Sequence, residues 1–173
     1  MKLTITDDDG FIALVNSDNY QGFVDADWQF DQLMSHFVDQ MNQGNIIVWQ
    51  TSNDGGGNWT VSFQERPSNA GAFRQFEHLI NVTTGELFLS NYSDLTMAAQ
   101  FSDLPIPAAH NADLKINLEN GQYRITVRQL FNPDNYPGHF YTETDDNISF
   151  EIIITSITKL VQQKVNKIYW HKS

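Results

Sequence analysis

The sequence predicts one mainly β domain of the α+β class. The expected architecture is an antiparallel β-sandwich or bent sheet, with one amphipathic helix after the first strands and a second helix at the C-terminus. β-branched and aromatic runs recur between Gly, Asn, Asp and Pro, which is the pattern of short strands and turns. One early segment instead carries apolar residues at helical spacing. The 173 residues suit a single domain, 1–173, and 40% hydrophobic residues suffice for a packed core.

Two short strands open the chain, at 3–6 and 11–15, on either side of an acidic turn. The helix follows, with Asp25 or Asp27 able to cap its start and Gly44 ending it. Its apolar face consists of Phe30, Leu33, Met34, Phe37, Val38 and Met41. Asp31 and Asp39 lie on the other faces, so the exposed side of this helix is predicted to be acidic.

Three hairpins are predicted downstream. The glycine-rich stretch TSNDGGGNWT, residues 51–60, separates the strand-like runs NIIVWQT and WTVSFQE, and Asp54-Gly55 can supply the positive φ angles of a turn. A phosphate-binding loop would need Lys and Ser or Thr followed by a helix, whereas a strand follows here. FRQFEHLINV with ELFLSNY predicts a second hairpin, and DLKINL with QYRITVRQLF predicts a third, with Asn120-Gly121 in its turn.

Three further segments complete the predicted fold. TMAAQF is interpreted as a short strand and ISFEIIITSI as a longer one. The last segment, ITKLVQQKVNKIYW, is predicted to be helical because its apolar residues recur at helical spacing. These residues are Ile157, Leu160, Val161, Val165 and Ile168.

The formal net charge is −11, and the charges are distributed unevenly. Lys2 is the only base in the first 54 residues, and the acids of that region are Asp7, Asp8, Asp9, Asp18, Asp25, Asp27, Asp31, Asp39 and Asp54. The C-terminal segment is basic, with Lys159, Lys164, Lys167 and Lys172. Either these lysines fold back onto the acidic region or an outside basic partner covers it. Direct binding to nucleic acid is disfavoured, because the phosphate backbone requires clustered Lys and Arg.

Composition excludes several other classes of function. The chain has no cysteine, so disulfides, thiolate metal sites and cysteine nucleophiles are absent. No stretch approaches the roughly 18 apolar residues that span a membrane, and the first residues do not resemble a secretory signal, so we expect a cytoplasmic protein without membrane contact. The five histidines are scattered and no nucleophile motif occurs. We therefore predict no cofactor, metal or catalytic residue, and an enzyme is only the third alternative.

Two loops leave alternatives open. The TDDDG turn is not an EF-hand, since Ile5 and Asn16 occupy ligand positions, but Asp7 and Asp9 with a second loop near Asp134 could hold calcium or a small ligand. The long segment 131–146 carries Tyr136 and other aromatics among acids. It forms either a protein-binding surface or a satellite cluster beneath the sheet.

The run DLKINLENGQYRITVRQLF contains Leu118, Gly121 and Tyr123 between alternating strands. Together with GNIIVWQ, WTVSFQ, GELFLSNY and ISFEIIIT, it resembles the competence protein J family, over residues 1 to 155 in order of elements. These are small bacterial β-rich proteins that inhibit a competence nuclease. The resemblance implies a non-enzymatic inhibitor that faces a basic, phosphate-binding cleft.

The charge layout and the resemblance lead to the same hypothesis. The chain is interpreted as an acidic protein-binding domain, an immunity or nuclease-inhibitor protein that blocks a basic nuclease or toxin. The predicted partner-binding residues are Asp25, Asp27, Asp31, Asp39, Asp134 and Tyr136. The alternative is a β-sandwich that binds calcium or a small ligand through its loops. An acidic surface that serves only solubility would explain the same charges.

Overall fold

A computed structural model describes residues 1–53, 55–135 and 147–172. The strands in chain order are β1 (Lys2–Asp7), β2 (Phe11–Val15), β3 (Ile46–Gln50), β4 (Gly57–Gln64), β5 (Arg74–Val82), β6 (Glu86–Asn91), β7 (Lys115–Asn117), β8 (Gly121–Gln129) and β9 (Phe150–Ile157). Helix α1 (Phe30–Asn42) follows β2, and α2 (Tyr92–Gln100) follows β6. Two short 3-10 helices occupy Ala109–Asn111 and Pro133–Asn135.

The strands form two sheets, which confirms the predicted mainly β fold. One sheet has five strands in the order β1-β4-β9-β8-β5, and the other has four in the order β3-β2-β6-β7. Strands β4 and β9 are parallel, whereas the other neighbouring strands are antiparallel. The two sheets enclose one apolar core and so form a sandwich.

Strand β2 of the four-stranded sheet is buried on both faces. In β2, Ile12 and Leu14 point into the core between the sheets, while Phe11, Ala13 and Val15 contact a second core under the helices. The second core also contains Leu33, Phe37 and Met41 of α1 and Leu95, Ala98 and Ala99 of α2. Both helices therefore cover the outer face of this sheet, as expected for the first helix.

Helix α1 is confirmed, but its cap is not the predicted one. Gln29 is the N-cap residue, and its backbone N–H donates to the side chain of Gln32 at 3.2 Å. Asp25 instead accepts a hydrogen bond from the backbone of Asp27, within the preceding loop. At the other end Gly44 has φ 74°, which ends the helix as predicted. Neither helix in the described part of the chain is long and apolar enough to cross a membrane.

All three predicted hairpins are wrong, because each connection crosses from one sheet to the other. Strand β3 lies in the four-stranded sheet and β4 in the five-stranded sheet, and the same separation holds for β5 and β6 and for β7 and β8. Alternating apolar residues identify a strand, but they do not select its partner. Because the connections cross between the sheets, both sheets contribute apolar side chains to the core between them.

Gly56 permits the crossing between β3 and β4. A Cβ atom on this residue would lie 1.5 Å from the backbone oxygen of Asp7. The glycine is thus required for a close approach between two backbones, rather than for phosphate binding or a hairpin turn. In the predicted Asp54-Gly55 turn, Gly55 has the expected positive φ, 110°, whereas Asp54 lies outside the described residues.

Two further elements differ from the prediction. The TMAAQF segment belongs to helix α2, whose N-cap residue Asn91 accepts a hydrogen bond from the backbone of Asp94 at 2.9 Å. The predicted C-terminal helix is absent. Strand β9 continues through Ile157, and residues 158–168 then follow a non-helical path on which Leu160 is 82% exposed.

Candidate functional site

Four of the predicted binding residues lie on α1 or on the loop before it. Asp25 and Asp27 are in the loop, Asp31 is in the first turn of the helix and Asp39 is near its end. All four are exposed. No described residue forms an ion pair with any of them, because the four recorded ion pairs involve other acids. The acidic surface predicted from the sequence is therefore present, and none of its four carboxylates forms an ion pair with a described residue.

A groove of about 710 Å³ separates α1 from the C-terminal segment, residues 158–172. The α1 wall consists of Phe30, Asp31, Met34, Ser35, Val38 and Asp39. The other wall consists of Asn166, Lys167, Ile168, His171 and Lys172. The groove thus has an acidic wall, a basic wall and apolar side chains between them.

Two residues of the predicted apolar helix face line this groove instead of lying fully in the core. Phe30 is 43% exposed and Val38 is half-buried, whereas Leu33, Phe37 and Met41 are buried. The helix therefore rests on the sheet along a narrower stripe than its sequence suggests. The remaining apolar surface is available to a ligand or a partner.

Two side-chain amides hold the C-terminal segment in place by hydrogen bonds to its backbone. Gln122 bonds both backbone groups of Val161, at 2.9 and 3.1 Å. Asn42 bonds both backbone groups of Val165, at 2.7 and 3.0 Å. Each amide satisfies a donor and an acceptor that a helix would otherwise have paired internally. The segment is consequently fixed in a non-helical path alongside α1.

Aromatic contacts anchor the end of the segment. Tyr169 stacks on Phe76 with ring centroids 3.7 Å apart, and Arg74 lies 4.2 Å from the ring of Trp170. The backbone oxygen of Tyr169 also accepts a hydrogen bond from Gln50 at the edge strand β3. The groove therefore has two well-anchored walls. Sequence reasoning missed the second wall because it assigned these residues to a helix.

The structure explains where the C-terminal lysines lie. Lys167 and Lys172 face the groove opposite Asp31 and Asp39, yet no ion pair joins the two walls in the described chain. The lysines give the groove a second sign of charge, at distances longer than an ion pair from the carboxylates. The basic segment thus folds back beside the acidic helix, which was one of the two expected outcomes.

The other two predicted binding residues are not on α1. Asp134 accepts hydrogen bonds from the backbone and the side-chain amide of Asn53, and the carboxylate is also close enough to Arg74 to affect its pKa. Burial lowers the pKa of Arg74 to about 10, and the charge of Asp134 opposes this shift. Asp134 is therefore already bonded within the molecule. Tyr136 lies outside the described residues, as does most of the long loop.

The acidic turn around Asp7 does not have the geometry of a calcium site. Asp7 is fully buried and accepts hydrogen bonds from Thr51 at 3.1 Å and from the backbone of Asp9 at 3.3 Å. Burial raises the pKa of Asp7 to about 6, against the lowering effect of these bonds. No group of three potential metal ligands occurs within residues 1–53, 55–135 and 147–172.

The histidines also have local structural partners. In His78, which is buried, Nε2 lies 3.0 Å from the backbone oxygen of Met41 and Nδ1 lies 3.0 Å from the hydroxyl of Tyr169. Burial lowers the pKa of His78. His36 Nε2 lies 2.6 Å from the backbone oxygen of Gln21, and burial lowers its pKa despite the opposing charge of Asp39. Both side chains therefore have hydrogen-bond partners within the described chain.

Two solved structures are similar in fold. Crocagin biosynthetic gene J matches with a TM-score of 0.58 and 12% identity, over 88% of this chain and 94% of its own. ComJ, inhibitor of the DNA degrading activity of NucA from Bacillus subtilis, matches with a TM-score of 0.49 and 10% identity, over 91% of this chain and 96% of its own. The weak resemblance to the competence protein J family is thus confirmed, and at such identities it shows the fold alone. Neither a protein-family model nor a curated protein matches the sequence.

Proposed function

We propose that this chain is a non-enzymatic protein-binding domain that blocks a basic nuclease or toxin, as an immunity or nuclease-inhibitor protein. The observation that carries the proposal is the unpaired acidic surface formed by Asp25, Asp27, Asp31 and Asp39. The four carboxylates share one exposed segment and therefore concentrate negative potential there. Left free, they attract a positively charged partner and steer its approach.

The helix gives the carboxylates a fixed spacing. Asp31 and Asp39 are eight residues apart, which places them about 12 Å apart along the helix axis. This distance is close to the rise of three to four nucleotides along one strand of DNA, at about 3.4 Å each. Carboxylates held on a rigid helix can therefore occupy separate phosphate-binding positions of a nuclease cleft.

The basic wall of the groove favours one orientation of the bound partner. Lys167 and Lys172 would repel the basic surface that Asp31 and Asp39 attract, so a partner must present its own acidic residues on that side. Charges of both signs thus favour one docking direction. Asp134 and Tyr136 are kept in the proposal as further contacts outside α1.

The test compares two variants that carry the same net charge. The first is Asp25→Asn, Asp27→Asn, Asp31→Asn and Asp39→Asn, and the control changes four other exposed acids: Asp8→Asn, Glu65→Gln, Asp113→Asn and Glu119→Gln. Each raises the formal charge from −11 by four, to −7. Capture from the native lysate at low and moderate salt supplies the nuclease, whose cleavage of fluorescent DNA is then measured with each purified variant.

We expect the wild type and the control to inhibit DNA cleavage, and the α1 variant to require at least tenfold more protein for the same inhibition. Added salt should weaken inhibition by the wild type, since the contacts are between exposed charges. Full inhibition by a folded α1 variant would remove these four residues from the site. Absence of a captured nuclease at low salt would contradict the proposed function itself.

A further inference from the structure

An exposed apolar patch lies at the C-terminal end of α2. It consists of Phe23, Met97, Phe101 and Leu104, whose exposed fractions are 49%, 47%, 42% and 40%. Large apolar side chains that are exposed singly are common on protein surfaces, but a group of them in one place marks an interaction site. This patch borders Asp25 and Asp27 of the predicted acidic residues, and it was not identified from the sequence.

Backbone hydrogen bonds bring the two chain segments of the patch together. The backbone N–H groups of Val24 and Asp25 both donate to the oxygen of Ala99, at 2.9 and 3.2 Å. A Cβ on Gly22 would lie 3.1 Å from that of Ala98, so the loop runs directly against the helix. Phe23, between Gly22 and Val24, is consequently held at the end of α2.

Of the other three side chains, Met97 lies in the last turn of the same helix, and Phe101 and Leu104 follow its end. The N–H of Phe101 donates to the oxygen of Met97 at 3.0 Å, and the N–H of Leu104 donates to the oxygen of Phe101 at 3.1 Å. Beneath them Ala98, Ala99 and Ile106 are buried in the core under the helices. The patch therefore rests on a rigid base, which limits the entropy lost on binding.

The surroundings of the patch are acidic. Asp25, Asp27 and Asp103 are exposed residues of the same two segments, and Asp27 lines a small hollow together with Gln100. Residues 3–65 and 75–114, which supply the whole patch, contain no Lys or Arg. The C-terminal end of α2 adds the partial negative charge of a helix dipole. An apolar centre with a negative rim is thus present.

We propose that this patch is the apolar centre of the partner interface, and that its occupant is a protein with an apolar contact surrounded by Lys and Arg. Interfaces commonly have an apolar core and a polar rim, and most of the binding energy comes from a few large side chains in the core. A second copy of this chain is a poor occupant, because a twofold contact would place the same acidic rims against each other. The inference rests on the proposed function, since it extends from Asp25 and Asp27.

Site-specific photo-crosslinking tests the proposal. The photoreactive residue p-benzoylphenylalanine replaces Phe23 or Phe101 in cells that express the chain, and Phe73 serves as the control, because it is 47% exposed at the start of β5. Crosslinked peptides are identified by mass spectrometry. We expect Phe23 and Phe101, but not Phe73, to crosslink to one protein, at a peptide in which apolar residues are flanked by Lys or Arg.

Affinity measurements with that purified protein then separate the two proposals. Phe101→Ala and Phe23→Ala should each weaken binding at least tenfold, whereas Phe73→Ala should not change it. If the Asp-to-Asn variant of α1 loses binding but both patch variants keep it, the proposed function stands and the patch is not its interface. A crosslink from Phe101 to a second copy of this chain, or no crosslink from either patch position, would overturn the inference.

Discussion

Asn42, the last residue of α1, forms a two-point hydrogen bond with the backbone of Val165, 123 residues later in the chain. Its Oδ1 accepts from the Val165 N–H at 2.7 Å, and its Nδ2 donates to the Val165 oxygen at 3.0 Å. This pair ties the C-terminal segment to the acidic helix and so fixes the width of the groove between them.

Replacement of this amide should loosen the groove wall. We expect Asn42→Ala to destabilise the protein by about 1 to 3 kcal/mol, because it leaves two half-buried backbone groups without partners. Hydrogen exchange at the Val165 amide should accelerate, whereas exchange in β2 should reflect only the global change. Gln43→Ala is the matched control, since the side chain of this exposed neighbour accepts a single long hydrogen bond within the described chain, from Asn45 at 3.5 Å. Equal protection of Val165 in all three proteins would contradict the assigned role.

Asp7 should make stability fall as pH rises from about 4 to 6. Its pKa is about 6 in the folded protein against an ordinary value of 3.8, so the native state binds more protons than the unfolded state in this window. This contribution of Asp7 to the free energy of unfolding is fully present below pH 3.8 and is lost above pH 6. The difference between the two limits is about 3 kcal/mol. We expect Asp7→Asn to remove this component from urea unfolding measured between pH 4 and pH 7.

The exposed neighbour Asp8 provides the control for that experiment. Asp8→Asn changes the net charge equally but does not alter a buried carboxyl group. The two variants should therefore differ in the slope of stability against pH. Parallel slopes for Asp7→Asn and the wild type would show that the buried carboxyl does not titrate in this range.

The ion pair between Arg128 and Glu151 should contribute far more than an exposed pair. Glu151 is fully buried and also accepts hydrogen bonds from Gln64 and from the backbone of Ser68. Arg128→Met leaves this carboxylate without its charged partner, and we expect a loss of about 3 to 5 kcal/mol in chemical unfolding. Arg124→Met is the control.

That control removes an arginine whose nearest carboxylate, on the exposed Glu77, lies 3.9 Å away. Its expected cost is below about 1 kcal/mol. Because Arg128 also bonds the backbone oxygens of Ser68 and Ala70, the first variant should additionally expose residues 65–72 to proteolysis. Similar losses of stability in Arg128→Met and Arg124→Met would contradict the larger contribution expected of the buried pair.

Gly56 should tolerate no side chain. In Gly56→Ala the new methyl group would overlap the backbone of Asp7, so β3 and β4 could not cross between the sheets without a shift of β1. We expect a loss of about 3 to 5 kcal/mol, or roughly 10 °C or more in thermal melting. Gly71→Ala has open space around the new methyl group and should melt within about 2 °C of the wild type. A melting temperature unchanged by Gly56→Ala would contradict the close approach.

Helix α1 shows what local sequence can establish. Its apolar residues repeat at helical spacing and Gly44 stops it, so both its existence and its acidic exposed side follow from the sequence. The same reasoning failed for residues 157–168, where equally spaced apolar residues do not form a helix. There Ile157 is held in β9, and the side chains of Gln122 and Asn42 bond the non-helical backbone that follows.

The sequence by itself determined the positions of strands β1 to β9, the first helix and the concentration of acids up to residue 54, although it wrongly assigned a further strand to TMAAQF. These features depend on neighbouring residues, through side-chain alternation, turn chemistry and charge. Only the tertiary structure decided which strands pair, that Lys167 and Lys172 face Asp31 and Asp39, and that Phe23 meets the end of α2. Those relationships join distant parts of the chain, and they arise because two sheets and two helices must bury their apolar faces together.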